Sequence, residues 1–267
     1  MKVYAIPQAE GPVRGDFVAM DGDPAARIPL TVGALLVDHP RGKVLVDAGL
    51  PDKPGLLDRV AGFALTRSLA AQVRSLPGAL AEHGIDTDEV TDVVLTHLHW
   101  DHTGATPSFG RARVLVGPGE MAAARRKDRS ALSYLGARRV LSHGAAEPTF
   151  HDFELGGRAF PVAHDLFGDG AIVMFPTPGH TPGSLSVLIR TDPPLLHIGD
   201  AAYTVGNLEK GVTNGRLLGL PVDRDPTAAR RTLDAIGELA ERTGARLLPA
   251  HDTKAWAALG SLPFAVS

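Results

Sequence analysis

The stretch Thr96-His97-Leu98-His99-Trp100-Asp101-His102-Thr103-Gly104 directly follows the apolar run Val93-Val94-Leu95. That run has the length and the β-branched content of a buried strand, so the stretch forms the loop after it. The side chains in this loop that can bind a metal ion are His97, His99, Asp101 and His102. A polar surface loop is the alternative interpretation, but it gives no reason for such a dense group. The loop therefore predicts a metal site.

The spacing within the loop predicts two metal ions. On an extended strand end, the two-residue period places His97 and His99 on one face, where they can bind one ion together. Asp101 and His102 are displaced along the chain, so they are better placed to hold a second ion. Imidazole and carboxylate ligands suit a borderline cation such as Zn²⁺. The chain has no cysteine, which excludes thiolate ligands and a cysteine nucleophile.

Further candidate ligands lie just beyond other predicted strands, at His180, Asp200 and His251. His180 stands in the segment Thr177-Pro178-Gly179-His180-Thr181-Pro182-Gly183, whose glycines and prolines permit a tight turn close to an ion. Asp200 ends a predicted buried strand, where a carboxylate without a partner would be costly. Because a carboxylate has two oxygens, Asp200 can bridge two cations.

Composition indicates an ordinary globular protein of 267 residues, with 44% hydrophobic and 21% charged residues, and we predict one domain over residues 1–267. The net charge of −3 provides no basic surface for nucleic acid or an anionic membrane. A neutral small-molecule substrate suits this balance best. No apolar run has the length of a signal-peptide core at the start or of a membrane span elsewhere, so a cytoplasmic location is predicted.

The remaining pattern alternates strands and helices in two similar halves, which predicts two layers packed face to face. The predicted elements include a hairpin over 31–37 and 43–46, a helix through Leu69, Val73, Leu76 and Leu80, strands over 172–175, 184–189 and 195–198, and a helix from Asp225-Pro226 to about Arg242 that ends at Gly244. Residues 130–170 lack a long amphipathic pattern and are predicted to form an irregular, lid-like segment.

The order HLHWDH at 97–102, then His180, Asp200 and His251, resembles the metallo-β-lactamase fold superfamily, and Val46-Asp47-Ala48-Gly49 resembles its earlier aspartate motif. The resemblance implies an α/β fold, a four-layer αββα sandwich, with metals at one edge between the two sheets. It implies one ion on His97, His99 and His180, a second on Asp101, His102 and His251, and Asp200 as the bridge. The implied cofactors are two Zn²⁺ ions per chain, with Mn, Fe or Co as alternative metals.

Two neighbouring residues are predicted to support the site without binding metal. Asp47 is expected to orient a ligand histidine through the other nitrogen of its ring. His197 lies on a predicted buried strand and is expected to be a hydrogen-bonded core histidine.

Departures from known branches of the superfamily narrow the predicted chemistry. His99 stands where the resembling di-iron, oxygen-reducing members carry glutamate, which favours zinc hydrolysis over a redox site. The best-known zinc β-lactamases have a cysteine at the second metal and lack the bridging aspartate, so this chain departs from them at both positions. A β-lactamase is therefore disfavoured.

The segment Asp200-Ala201-Ala202-Tyr203-Thr204 resembles quorum-quenching N-acyl-homoserine lactone lactonases, in which a tyrosine follows the bridging aspartate by three residues. Phe167-Gly168-Asp169-Gly170 and the TPGHTPGS run resemble the same subfamily. The Tyr203 phenol would hydrogen-bond the lactone carbonyl or the developing oxyanion and later assist the leaving alkoxide. The alternative is a tyrosine that only packs on the pocket wall. Asp101 would orient the attacking water or accept its proton.

The predicted function is that of a zinc-dependent hydrolase that opens a lactone ester, with N-acyl-homoserine lactone as the preferred substrate. Two other classes stay open at this point. One is a metal hydrolase acting on phosphoesters, aryl esters or thioesters, and the other is a metal-binding protein without catalytic activity. The oligomeric state is left open, with a homodimer as one option.

Overall fold

The computed structural model describes residues 1–53, 55, 74–126, 134, 136–155, 158–217, 219–259 and 264–265. Within these residues the strands form two six-stranded sheets and a two-stranded ribbon. The first sheet contains β1 Lys2–Arg14, β2 Arg27–His39, β3 Gly42–Val46, β4 Val90–Val94, β5 Arg113–Leu115 and β14 Phe264–Ala265, in the order β14-β1-β2-β3-β4-β5. The second contains β6 His151–Leu155, β7 Arg158–Asp165, β8 Ile172–Pro176, β9 Leu185–Ile189, β10 Leu195–Gly199 and β13 Arg246–Pro249, in the order β13-β10-β9-β8-β7-β6.

The described residues also form the ribbon and several α-helices. The ribbon pairs β11 Arg216–Leu217 with β12 Leu220–Pro221. The helices are α1 Gly15–Val18, α2 Leu76–Glu82, α3 Glu120–Ala124, α4 Ala137–His143, α5 Val205–Lys210, α6 Pro226–Thr243 and α7 Thr253–Ala258.

The first sheet directs two of its strands toward the edge that carries the candidate metal loop. The predicted hairpin is confirmed as β2 and β3, in which Leu35 pairs with Val46. β3 and β4 are parallel, with Val46 opposite Val94. Parallel neighbours end at the same edge of a sheet. Asp47, which follows β3, and the histidine loop, which follows β4, therefore start side by side.

The second sheet likewise directs three strands toward the edge at which the other candidate ligands lie. β8, β9 and β10 are successive antiparallel neighbours, and β10 is parallel to β13. β8, β10 and β13 consequently run in one direction. The residues that follow their carboxyl ends are His180, Asp200 and His251.

The two sheets face each other and carry helices on their outer surfaces. Between the sheets lie, among others, Leu35, Val37, Val46, Met174 and Val187. The outer face of the first sheet packs against α2 and α4 through a cluster that includes Leu36, Leu45, Leu76, Leu80 and Val140. The outer face of the second sheet packs against α6 through Val173, Leu188, Leu233 and Ile236. This is the predicted αββα sandwich, and it is held together by three apolar layers.

Helix α6 begins and ends where the sequence predicts. The side chain of Asp225 accepts a 2.9 Å hydrogen bond from the backbone N–H of Ala228, and Pro226 occupies the first helical position. Gly244 has a φ of +67°, the left-handed conformation that ends many helices.

The segment 130–170 is not irregular throughout, so the prediction of an irregular segment is wrong for residues 137–143, 151–155 and 158–165. It contains helix α4 and the paired strands β6 and β7, in which Phe153 lies opposite Phe160. β6 is an edge strand whose His151, Asp152 and Glu154 are exposed. An edge strand with so many exposed side chains carries no apolar run, so hydrophobic periodicity does not reveal it. The role of residues 130–170 as a lid stays a prediction.

One further predicted element is described only in part. α2 begins at Leu76 and includes Leu80, whereas Leu69 and Val73 lie outside the described residues. Among the helices that the structure describes, none combines the length and the apolar character needed to cross a membrane.

Candidate metal centre

The predicted ligands lie on loops that follow strands of both sheets and meet at one edge of the sandwich. β4 ends at Val94, so His97 and His99 are in the loop beyond the strand and not on an extended strand end. Their rings nevertheless converge, with centroids 4.4 Å apart. The loop itself therefore turns both imidazoles toward the same point.

The first group of converging side chains is His97, His99, His180 and Asp200, whose candidate ligand atoms lie within 4.8 Å of one another. His99 Nδ1 is 3.0 Å from His180 Nε2. Asp200 Oδ2 is 3.4 Å from His180 Nε2 and 3.7 Å from His97 Nε2. Three imidazoles and one carboxylate thus surround one small volume, and such side chains are suitable ligands for a divalent metal ion.

The second group is Asp101, His102 and His251, with candidate ligand atoms that also lie within 4.8 Å of one another. His251 Nε2 is 3.7 Å from Asp101 Oδ2, and His102 Nε2 is 4.0 Å from Asp101 Oδ1. The His102 ring nevertheless lies 4.1 Å from the His97 ring, so the two groups are close neighbours.

Asp200 lies between the two groups and presents one oxygen to each. Its Oδ2 faces the first group, whereas its Oδ1 lies 3.1 Å from His251 Nε2 and 3.4 Å from His102 Nε2. The carboxylate is almost fully buried, with 4% of Asp200 exposed. A buried carboxylate between two sets of imidazoles has the arrangement of a ligand shared by two cations.

The residues present match a pair of divalent cations on two physical grounds. Among the described residues, His97 Nε2, His102 Nε2 and Asp200 Oδ1 are buried side-chain atoms without a hydrogen-bond partner. Such atoms are costly in a protein interior unless something else binds them. Imidazole and carboxylate are also the donors that borderline cations prefer.

The protonation tendencies of these groups follow from burial and from their mutual proximity. Burial, together with the neighbouring His102, holds the pKa of His97 well below its usual value, and burial with His180 does the same for His99. Burial opposes ionisation of Asp200, but the nearby His251 and His102 outweigh it, and the pKa of Asp200 is well below its usual value. His97 and His99 therefore offer free lone pairs, and Asp200 offers a full negative charge.

His102 and His251 hold their protons more tightly than His97 and His99 do. Burial alone would lower the pKa of His102, but the carboxylates of Asp200 and Asp47 outweigh it and raise that pKa well above its usual value. The pKa of His251 is also raised, because Asp200 outweighs the burial. Since a histidine must lose its proton to bind a metal, binding a cation here displaces protons.

The imidazoles are held in position by hydrogen bonds to the ring nitrogens that face away from the centre. The pairs are His102 Nδ1 with Asp47 Oδ2 at 2.9 Å, His180 Nδ1 with Asp223 Oδ1 at 3.1 Å, His251 Nδ1 with the Thr31 carbonyl oxygen at 2.8 Å, and His97 Nδ1 with Thr96 Oγ1 at 3.2 Å. Partners of this kind fix the ring orientation and direct the Nε2 lone pair inward.

Asp47 has the orienting position that the sequence predicts. It is a non-glycine residue with a φ of +60°, and its carboxylate accepts a 2.8 Å hydrogen bond from the Thr96 backbone N–H. His197 is buried, with Nδ1 2.9 Å from the Leu248 carbonyl oxygen and Nε2 3.4 Å from Asp47 Oδ2. The prediction of a hydrogen-bonded core histidine is thereby confirmed, and its partner is the residue that orients His102.

Tyr203 lies beside the two groups and also packs against apolar residues. Its ring centroid is 5.2 Å from that of His251 and 5.9 Å from that of His180, and it stacks on Phe17 at 5.2 Å. Burial, reinforced by Asp200 and Asp223, raises the pKa of Tyr203 well above its usual value. The phenol therefore keeps its proton at neutral pH and can act as a hydrogen-bond donor.

Asn214 and Asp223 support the site but carry no recognisable sequence pattern. Asn214 Nδ2 donates to the Asp200 carbonyl oxygen at 2.7 Å and to Asp223 Oδ1 at 3.0 Å. Asn214 Oδ1 accepts from the Tyr203 backbone N–H at 2.8 Å. Asn214 thus connects Asp200, Tyr203 and the carboxylate that orients His180. These contacts join residues 9 to 14 positions apart and follow no hydrophobic period, so the sequence pattern does not predict them.

This fold and this site agree with what comparison with protein families finds. The model of the metallo-beta-lactamase superfamily matches residues 28–251. The chain belongs to the metallo-beta-lactamase superfamily.

Individual similar proteins have names that are more specific than the name of the superfamily. The chain is 29% identical over 258 residues to the N-acyl homoserine lactonase AttM of Azorhizobium caulinodans, covering 92% of this chain and 91% of that protein. It is 30% identical over 221 residues to a Mycobacterium tuberculosis protein named "probable metallo-hydrolase", covering 76% of this chain and 67% of that protein. Among solved structures, an N-acyl homoserine lactone hydrolase with the product N-hexanoyl-L-homoserine at its catalytic metal center is similar in fold, with a TM-score of 0.72, 21% identity and 98% coverage of both chains.

Proposed function

We propose that the protein is a dinuclear metal-dependent hydrolase that opens the ester bond of a lactone, with N-acyl-homoserine lactones as the preferred substrates. The observation that carries this proposal is Asp200, whose two oxygens face two separate groups of imidazole and carboxylate ligands. The position of Tyr203 beside both groups supports it. The similarity to the A. caulinodans lactonase over most of both chains supports the choice of substrate.

The proposed metal ligands are the residues of the two groups. One ion would be held by His97, His99 and His180, the other by Asp101, His102 and His251, and both by Asp200. Zinc is the proposed metal because imidazole and carboxylate donors suit it, although Mn, Fe and Co match the same donors. When bound, two such cations would polarise the ester carbonyl and make a water molecule nucleophilic near neutral pH.

Asp101 and Tyr203 have the proposed catalytic roles at this centre. The side chain of Asp101 is 17% exposed, against 3% for Asp200, so Asp101 is the carboxylate that an entering water can reach. Asp101 would orient that water and accept its proton. Tyr203 remains protonated and would donate its hydrogen bond to the oxyanion that develops on the opened ester.

The surroundings of Tyr203 suit a neutral substrate with apolar parts. Tyr203 belongs to a buried apolar cluster with Val13, Val18 and Leu30, against which Phe17 also packs. The net charge of −3 gives the molecule no overall attraction for anions. Both features favour a neutral lactone over a phosphoester.

The test is turnover by the zinc-loaded protein of a panel containing homoserine lactones of several acyl lengths, a nitrophenyl phosphate, an aryl ester and a thioester. We expect kcat/KM to be at least about tenfold higher on the best lactone than on any other compound, because the site would be built for its ester and acyl groups. The same protein after chelation is the control and should be inactive. Turnover of the phosphate or thioester without lactone turnover would show another hydrolase, and no turnover with both ions bound would show a non-catalytic metal protein.

A further inference from the structure

Glu120 is a buried carboxylate that has no part in the proposed chemistry. It is the first residue of α3 and is fully buried. Its Oε1 accepts a 3.0 Å hydrogen bond from the Leu98 backbone N–H, and its Oε2 accepts a 2.9 Å hydrogen bond from the Gly183 backbone N–H. Each oxygen therefore binds a different loop.

Those two loops provide the imidazoles of the first metal group. Leu98 stands between His97 and His99, in the loop that follows β4 of the first sheet. Gly183 ends the segment around His180, which follows β8 of the second sheet. Glu120 consequently joins the two sheets at the place where these histidines face each other.

The close packing at this contact leaves little freedom for the two loops to separate or shift. A Cβ atom on Gly183 would lie 2.5 Å from the Glu120 Cβ, so the loop approaches Glu120 as closely as only glycine allows. Burial raises the pKa of Glu120, while the Leu98 N–H, the Thr181 side chain and the Gly183 N–H partly offset that effect. A fully buried acid with two backbone donors is expected where a geometry has to be held, since burial without such donors is costly.

We propose that Glu120 is a positioning residue that sets the distance between the His97–His99 pair and His180, and so determines how tightly the first metal group binds its ion. The proposal rests on the metal centre proposed above. Hydrogen bonds that support metal ligands from outside typically change metal affinity by about 10- to 100-fold when they are removed.

The second metal group has its own supports and should be affected much less. His102 is held through Nδ1 by Asp47 and through its backbone oxygen, which accepts a 2.7 Å hydrogen bond from the Ala48 N–H. His251 is held by the Thr31 carbonyl oxygen. None of these described contacts involves Glu120.

The deciding variant is Glu120→Gln, which keeps the size of the side chain. Glutamine has one acceptor oxygen, and its NH₂ group would point a donor at the second backbone N–H, so one of the two loops is released. The matched control is Glu147→Gln. Glu147 Oε1 accepts a single 3.2 Å hydrogen bond from the N–H of Met121, the next residue of α3, and a glutamine oxygen can keep that bond.

The measurement is the zinc affinity of the apoprotein, determined by competition with a chromophoric chelator. It is made in two background variants, each of which leaves only one metal group intact. In His251→Ala the first group is intact, and Glu120→Gln should weaken its zinc binding by about 10- to 100-fold. In His180→Ala the second group is intact, and the change should stay within about twofold. Glu147→Gln should change neither affinity. An unchanged first group, or equal weakening of both groups, would overturn the proposal.

A second variant covers the case in which Glu120→Gln does not fold. Gly183→Ala keeps Glu120 but forces the loop away from it, so it should reproduce the selective loss at the first group. Equal loss at both groups, or no loss, would again contradict the proposal. Because the readout is metal affinity and not lactone turnover, a protein that binds two ions but ignores lactones would refute the proposed function while leaving the role of Glu120 intact.

Discussion

Replacement of Asp200 by asparagine is expected to lower kcat/KM on the best lactone by about 10³-fold, the loss of several kcal/mol of transition-state stabilisation. Asparagine has nearly the same size, but only one of its two terminal atoms can bind a cation. In the structure one Asp200 oxygen is 3.4 Å from His180 Nε2 and the other is 3.1 Å from His251 Nε2, so the variant loses contact with one group. Metal analysis of the purified variant should find that at least one ion binds more weakly.

The control for this prediction is Asp234→Asn. Asp234 is an exposed residue of α6 that pairs with Arg230 at 3.7 Å and belongs to neither metal group. The same loss of one negative charge there should leave kcat/KM and metal content unchanged. If Asp200→Asn kept its activity within about threefold of the parent protein, Asp200 would not bridge the two ions.

Replacement of Tyr203 by phenylalanine is expected to lower kcat on lactones by about 10²-fold with little change in KM. The reason is that a donor aimed at a developing oxyanion acts mainly in the transition state. Phenylalanine keeps the ring, so the stacking on Phe17 and the packing against Leu30 remain. Metal content and thermal stability should therefore stay close to those of the parent protein.

The control here is Tyr4→Phe, which removes a tyrosine hydroxyl group from a different part of the core. Tyr4 is buried in the cluster beneath the outer helices and contacts His83, with ring centroids 5.2 Å apart. Tyr4→Phe should leave kcat unchanged. An unchanged kcat for Tyr203→Phe as well would mean that Tyr203 only packs on the pocket wall, which is the alternative that its apolar neighbours allow.

Local sequence was sufficient to predict the central loop of this site. A metal site can be predicted from four closely spaced side chains alone, because a short loop keeps them together in any fold. These are His97, His99, Asp101 and His102. Glycines and prolines around His180 and the strand before Asp200 indicated where the partners would be. The assignment of His97, His99 and His180 to one ion came from the family resemblance, and the structure places these side chains together.

Residues that support the ligands were mostly beyond prediction, because their contacts join distant parts of the chain. Asp47 and His102 are 55 positions apart, and the resemblance of the Val46–Gly49 motif indicates only that Asp47 orients a ligand histidine, not which one. Glu120 and Gly183 are 63 positions apart, and a glutamate is ordinarily a surface residue. Asn214 has no periodic pattern around it. Strand β6 escapes prediction for a different reason, because an exposed edge lacks the apolar alternation that marks a strand.

The most direct test of the central claim is a titration of the apoprotein with zinc in which bound metal and N-acyl-homoserine lactone turnover are measured in the same samples. We predict that two ions bind per chain and that lactone turnover becomes maximal only as the second one binds, because Asp200 connects two ligand groups. Saturation at one ion per chain, or two bound ions without lactone turnover, would contradict the account.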